Sequence, residues 1–140
     1  MAAVTTEEMR NTHIIQSLYA AFERGDVQAV LDGLSENVEW VVPGPAEIAS
    51  AGTRYGRRQV AEFFQILDRE LQFEQFEPKE YVAQGDRVVA LGYIRARAKS
   101  TNRIAEYDWA MAFTLREGKV AIYHGYYDTA ALLAAVRNGK

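Results

Sequence analysis

Cysteine is missing from this 140-residue chain, which removes disulfides, thiolate nucleophiles and thiolate metal sites together. Histidine is nearly as scarce. His13 and His124 stand far apart, without HxxxH or HxH spacing, so no metal site is expected. The net charge of −3 is spread over interspersed signs, and no Lys/Arg cluster alternates with aromatics. Nucleic acid is therefore not an expected partner. No apolar run reaches membrane-spanning length, and Met1–Glu8 lacks a basic stretch followed by an apolar one. Neither a membrane partner nor a secretory signal is expected, and the expected setting is cytoplasmic.

What remains is an ordinary globular balance, 49% apolar and 25% charged residues, read as one domain over residues 1–140 with a real core. Thr5-Thr6-Glu7-Glu8 has the form of a capping box opening a helix, with Ile14, Leu18, Ala21 and Phe22 on its apolar stripe and Gly25 as its stop. Asp26 then caps a shorter helix whose buried face is Val27, Val30, Leu31 and Leu34. Val38–Val42 reads as a strand ended by Pro43-Gly44-Pro45. The dozen residues after it read as an irregular segment placed to cover a pocket. A third helix follows Gly56, with Val60, Phe63, Phe64, Leu67 and Leu71 on one face.

From Phe73 the period changes from helical to alternating. Strands are predicted near 74–84, 87–99, 104–115 and 119–127, divided by Gly85-Asp86, Ser100–Arg103 and Arg116–Lys119. A turn at Ser100–Arg103 sets Arg97 opposite Glu106 and Arg95 opposite Asp108, with Tyr93 on the same face. On the other face Ala96 meets Tyr107, Gly92 meets Met111 and Ala90 meets Phe113. Opposite charges and small-against-large pairs support that register. Trp109, Met111 and Phe113 become the floor of a core roofed by Phe63, Phe64 and Leu67. The order of elements is α+β.

The last strand alternates His124, Tyr126 and Asp128 on one face and runs into the apolar helix Ala130–Val136. Asp128 has two readings, an N-cap for that helix or a base in a site. Its partners in the second reading are His124 and Tyr126.

Several segments together resemble the SnoaL-like branch of the ketosteroid isomerase/NTF2-like superfamily. They are Leu18–Asp26, Val38–Gly44, Tyr55–Phe64, Gly85–Val89, Glu117–Val120 and Tyr127–Thr129. The resemblance implies a cone, a strongly curved antiparallel sheet around the helices with an apolar pocket at its open end, in a homodimer. It implies a small apolar organic ligand and acid–base chemistry without a cofactor, or binding without catalysis. The isomerase base falls at Val42, its tyrosine at Leu18 with Tyr19 one residue away, and its protonated aspartate near Ala110 or Met111. The epoxide hydrolase aspartate falls at Gly125. The aspartate of SnoaL-type polyketide cyclases falls at Asp128. The residues expected to line the pocket are Trp40, Tyr55, Phe63, Phe64, Leu67, Tyr93, Asp108, Trp109 and Met111.

Overall fold

Thr5 opens the first helix as its capping box predicts. In the computed structural model, which describes residues 3–137, the Thr5 hydroxyl accepts the Glu8 N–H at 3.0 Å and the Glu8 carboxylate accepts the Thr5 N–H at 2.8 Å. Helix α1 (Thr6–Glu23) ends at Gly25, where φ is +77°, a left-handed conformation that glycine adopts without steric cost. Asp26 accepts the Ala29 N–H at 3.1 Å and starts α2 (Val27–Asp32). Leu34, expected on the buried face of α2, instead begins β1 (Leu34–Val42). Residues expected to be irregular form β2 (Gly52–Tyr55), antiparallel to β1. Helix α3 (Gly56–Glu70) buries Val60, Phe63 and Phe64, and Leu71 passes from its expected helical face to the start of β3 (Leu71–Gln84). Strands β4 (Arg87–Ala98), β5 (Ile104–Arg116) and β6 (Lys119–Tyr127) follow, then α4 (Thr129–Val136).

The strands form one sheet in the order β2-β1-β6-β5-β4-β3. Its inner face and the helices enclose the core. The α+β cone is therefore present, with one departure from an all-antiparallel sheet: β1 and β6 run parallel. Two bulges in β3, between Phe73 and Gln75 and between Pro78 and Glu80, add the local bend that wraps the sheet round the helices.

The β4–β5 hairpin keeps the expected faces but not the expected register. Arg95 lies opposite Glu106, Tyr93 opposite Asp108 and Gly92 opposite Trp109, a slip of two residues along the strand. The cause is the turn. Asn102 takes a left-handed φ of 68°, and the loop closes one residue earlier, on Ala98 and Arg103, with the Ala98 N–H donating to the Arg103 carbonyl at 2.8 Å. A one-residue slip would have exchanged the faces, whereas a two-residue slip leaves them intact. The expected ion pairs change accordingly: Glu74 of β3 accepts from Arg95 at 3.0 Å and from Arg97 at 2.9 Å, while Arg95 also meets Glu106 at 3.1 Å.

A single extra residue decides the orientation of β6. Leu115 pairs with Val120 but Thr114 pairs with Ile122, so Ala121 is a bulge. Alternation from the fully buried Val120 would send Ile122, His124 and Tyr126 inward. The bulge reverses this, and Tyr123, Gly125 and Tyr127 face the interior instead. Helix α4 then closes over β5 with Leu132 and Ala135 buried. Arg103 holds its C-terminal end, donating to the carbonyls of Ala134 at 3.1 Å and Arg137 at 2.9 Å.

Candidate functional site

The interior of the cone holds a cavity of about 130 Å³, lined from every layer of the fold. Its wall is a closed circuit of aromatic rings. Trp40 stacks on Tyr123 at 4.0 Å, Tyr123 meets Phe113 at 5.3 Å, and Phe113 meets Tyr19 at 6.0 Å. Tyr19 stacks on Trp109 at 5.7 Å, Trp109 on Phe76 at 5.2 Å, and Phe76 meets Phe22 at 5.2 Å. Phe22 reaches Phe64 at 5.9 Å, and Phe64 returns to Trp40 at 5.8 Å. Each spacing is that of an offset-stacked or edge-to-face pair, so the rings hold one another in place.

Position follows from local sequence. Trp40 and Tyr123 are neighbours across the parallel β1–β6 pairing. Trp109 fits against the sheet because Gly92 lies opposite it: a Cβ on Gly92 would come within 2.3 Å of the Trp109 ring. Ser50 and Ile48 are buried in the segment after β1, and Ser50 lines the cavity, so this segment covers the site as expected. It is pinned by Arg54, which donates to the Ser50 carbonyl at 2.7 Å and lies over the Phe63 ring at 5.1 Å. The Tyr127 hydroxyl, donating to the Pro43 carbonyl at 2.7 Å, ties the same segment to β6. A surface groove between α1, α2, α3 and β3 shares Phe22, Phe64, Leu67, Leu71, Phe73 and Phe76 with the cavity wall.

The polar groups on this wall are hydroxyls, which donate and accept, and indole N–H groups, which only donate. Tyr19, Tyr107, Tyr123 and Tyr127 contribute hydroxyls, Trp40 and Trp109 indole N–H groups, and Ser50 a hydroxyl. The Tyr19 hydroxyl donates to the Met111 sulfur at 3.0 Å. Both indole nitrogens are buried without a partner. Burial raises the phenol pKa of Tyr19, Tyr107 and Tyr123 well above the ordinary value, and that of Tyr127 to about 12. All four remain neutral donors near neutrality. No carboxylate and no imidazole lies on the wall.

Residues 15–123 match the family model for the SnoaL-like domain. The chain belongs to the SnoaL-like domain family. An NTF2-like protein from Burkholderia xenovorans LB400 is 36% identical, covering 96% of this chain and 100% of its own, with a TM-score of 0.86. The structure of TerC co-crystallised with polyporic acid is 29% identical over 91% of this chain and 98% of its own, at a TM-score of 0.82. A protein of Xanthomonas campestris pv. campestris that carries a provisional polyketide cyclase name is 22% identical over 94% and 100%, at 0.77, and shows the fold alone. No curated protein matches.

Within this SnoaL-like cone, Trp40, Phe63, Phe64, Leu67, Trp109 and Met111 line the cavity, where they were expected. Tyr55, Tyr93 and Asp108 do not. Tyr55 is 60% exposed at the end of β2. Tyr93 lies on the outer face of β4, donating its hydroxyl to Glu106, and Asp108 is exposed opposite it. The Ala121 bulge moves the expected catalytic set as well. His124 and Tyr126 stack on each other at 4.4 Å on the outer face, with Tyr126 52% exposed. Tyr126 still borders the cavity, beside Gly125 and Tyr127 of the same strand. Asp128 is exposed, and its carboxylate accepts the Ala131 N–H at 2.9 Å as the α4 cap. Among the polar residues of the wall, those the sequence reading did not place in the pocket are Tyr19, Ser50, Tyr107, Tyr123 and Tyr127. Tyr107 had a signal, since it lies on the same face of β5 as Trp109 and Met111. Tyr123 had none, because its direction depends on the bulge. No helix among the described residues is long and apolar enough to cross a membrane.

Proposed function

We propose that this SnoaL-like protein binds a small, largely apolar molecule of about one ring inside the cone, oriented by neutral hydrogen-bond donors. The observation that carries this is the closed circuit of aromatic rings round a cavity whose polar groups are neutral hydroxyls and indoles and whose wall holds no carboxylate or imidazole. A void near this size, lined by apolar side chains, takes up a single aromatic ring. Any chemistry at this wall is donor-assisted: buried hydroxyl and indole groups stabilise negative charge on a bound oxygen, and none of them removes a proton at neutral pH.

A panel of one-ring aromatic compounds tests the reading by thermal denaturation. A compound present at a hundred times its Kd is expected to add about 2.7 kcal/mol of stability. Leu67→Trp, which fills the cavity, is expected to remove that gain while leaving the fold cooperative. A panel that leaves both proteins unmoved would remove the binding function. The acid–base alternative centres on Asp128, the position matching the cyclase aspartate. Asp128→Asn is expected to match wild type in stability and binding, whereas Asp128→Ala loses about 1 kcal/mol of stability through the cap. A compound turned over by wild type but not by the asparagine variant would restore Asp128 as a base.

The homodimer expected from the resemblance has support on the opposite face of the sheet. Val89, Leu91, Ala110, Ile122, His124 and Tyr126 point outward together across β4, β5 and β6. Five of these six side chains are apolar or aromatic and Tyr126 is exposed, which supports an interaction surface on this face. Light scattering is expected to give twice the chain mass, and Leu91→Glu half of that. A monomeric wild type at tens of micromolar would exclude the dimer.

A further inference from the structure

Residues 43–51 join β1 to β2 and cover the cavity without belonging to a helix or strand; Ser50 lies on the wall and Ile48 is 2% exposed. Among the described residues, the backbone hydrogen bonds of this strap run from the Ile48 N–H to the Pro45 carbonyl and from the Ala51 N–H to the Ile48 carbonyl. Both measure 3.0 Å and both are internal. Side chains from three other elements fasten it. The Tyr127 hydroxyl of β6 donates to the Pro43 carbonyl at 2.7 Å. Arg54 of β2 donates to the Ser50 carbonyl at 2.7 Å and to that of Ala49 at 3.4 Å. Arg137, just after α4, meets Glu47 at 3.0 Å, with both side chains about half exposed.

The strap is bounded by glycines with positive φ, +139° at Gly44 and +123° at Gly52, values that other residues rarely adopt. A Cβ on Gly44 would meet Ile48 Cδ1 at 3.1 Å and Ala51 Cβ at 3.2 Å, so the strap is packed on itself and keeps its shape when it moves. At Gly52 no neighbour stands within 4 Å of such a Cβ, which leaves the backbone free to turn. Burial lowers the Arg54 pKa and Glu62 opposes that, so the guanidinium is held partly out of water against a desolvation penalty. Release of the strap returns it to solvent. The groove of α1, α2, α3 and β3 adjoins the wall as well, but its rings are carried on helices and on a strand paired along its length. Opening there breaks regular structure, whereas opening at the strap breaks side-chain contacts and exposes Ile48. Local stability is lowest where few backbone hydrogen bonds cross.

We propose that residues 43–51 open as one unit hinged on Gly44 and Gly52, with Arg54 as the latch, and that this movement admits the ligand. The proposal rests on the binding function above and adds its route of entry. Arg54 is a positioning residue in this scheme. It holds the strap and is not among the residues lining the cavity.

Because the chain has no cysteine, Glu47→Cys combined with Arg137→Cys introduces two thiols and no others, at the two ends of one fastening. A short bis-maleimide joins them and ties the strap down. Stopped-flow fluorescence with toluene is expected to show association and dissociation both slowed about tenfold or more in the joined protein, with Kd little changed. The same variant capped singly with N-ethylmaleimide is expected to keep wild-type rates or exceed them. Hydrogen exchange tests the strap without any ligand. The Ile48 and Ala51 amides are expected to exchange at one common rate, faster than the amides of β1 and β6. Arg54→Met, which keeps the stem over Phe63 and removes the donors, is expected to speed that exchange about tenfold, and Arg54→Lys to restore part of the difference. Exchange as slow as that of β1, or indifferent to Arg54, overturns the strap. Toluene bound at unchanged rates in the joined protein overturns the route of entry and leaves the binding function standing. Failure of toluene to bind any of these proteins overturns both.

Discussion

Gly92→Ala is expected to destabilise the protein by about 3 kcal/mol, at the upper end of what overpacking one site costs, and to weaken ligand binding with it. The added Cβ would lie 2.3 Å from Cζ2 of Trp109 and 2.4 Å from the Glu77 carbonyl oxygen. Neither neighbour is the free end of a flexible side chain. The first is the body of a ring held between Tyr19 and Phe76, and the second is backbone of the adjoining strand beside a bulge. Relief requires either moving β3 away from β4 or rotating Trp109, and rotation breaks two stacked contacts of the cavity wall. Urea denaturation measures the first consequence, and titration with a one-ring aromatic the second. A variant within about 0.5 kcal/mol of wild type, the range of an ordinary surface substitution, would show that the wall yields and is not preorganised. Glycine is required at this position by space and not by dihedral angle, since its φ lies outside the left-handed region.

The second large effect is alkaline unfolding driven by the buried phenols. Tyr19, Tyr107 and Tyr123 each have a folded-state pKa raised above the ordinary 10.0, with burial as the first cause and neighbouring tyrosines, plus Asp128 for Tyr107, as further ones. A group whose pKa is higher folded than unfolded contributes its full share of stability below the unfolded value and loses it as pH rises toward the folded one. Stability is therefore expected to be flat with respect to these groups up to about pH 10 and to fall above it. Each tyrosine contributes a slope of about 1.4 kcal/mol per pH unit. Three together give about 4 kcal/mol per unit, enough to exhaust a typical domain stability of about 5–15 kcal/mol within about one to four units. Phenolate absorbance for the buried set is expected to rise in one cooperative step, together with loss of circular dichroism. Tyr107→Phe is expected to lessen the slope by about a third of that total. Gradual phenolate formation near pH 10 in an intact fold would mean that the ring circuit is wet and open.

Much of the fold was legible because it depends on local rules. The Thr5 capping box, the Gly25 stop and the Asp26 cap are each a side chain or dihedral answering its own backbone within four residues. The wall residues Phe63, Phe64 and Leu67 follow from the 3.6-residue period of α3, and Trp109 and Met111 from alternation along β5. The misreadings fall where one residue of offset decides. Leu34 and Leu71 are apolar and adjacent to helices, so periodicity alone assigns them to the helix; tertiary pairing takes both into strands. The hairpin register slipped because left-handed Asn102 moves the loop by one position, and charge pairing could not detect this when Glu74 from a third strand accepts from both arginines.

The site divides in the same way. The sequence by itself determined an α+β chain with a large aromatic core, without thiols, clustered histidines or a basic surface, and with an aspartate competent to cap its last helix. Composition, period and capping are local quantities, and the chain carries them wherever it is placed. Only the tertiary structure decided that Tyr123 and Tyr127 face the interior while His124 and Tyr126 face out. That decision rests on one unpaired residue, Ala121, opposite the step from Thr114 to Leu115. A strand has a side-chain period of two, so one extra residue exchanges its faces, and whether it bulges is set by the strand beside it. The chemistry of the cone changed with it, from an imidazole and a carboxylate to neutral phenols.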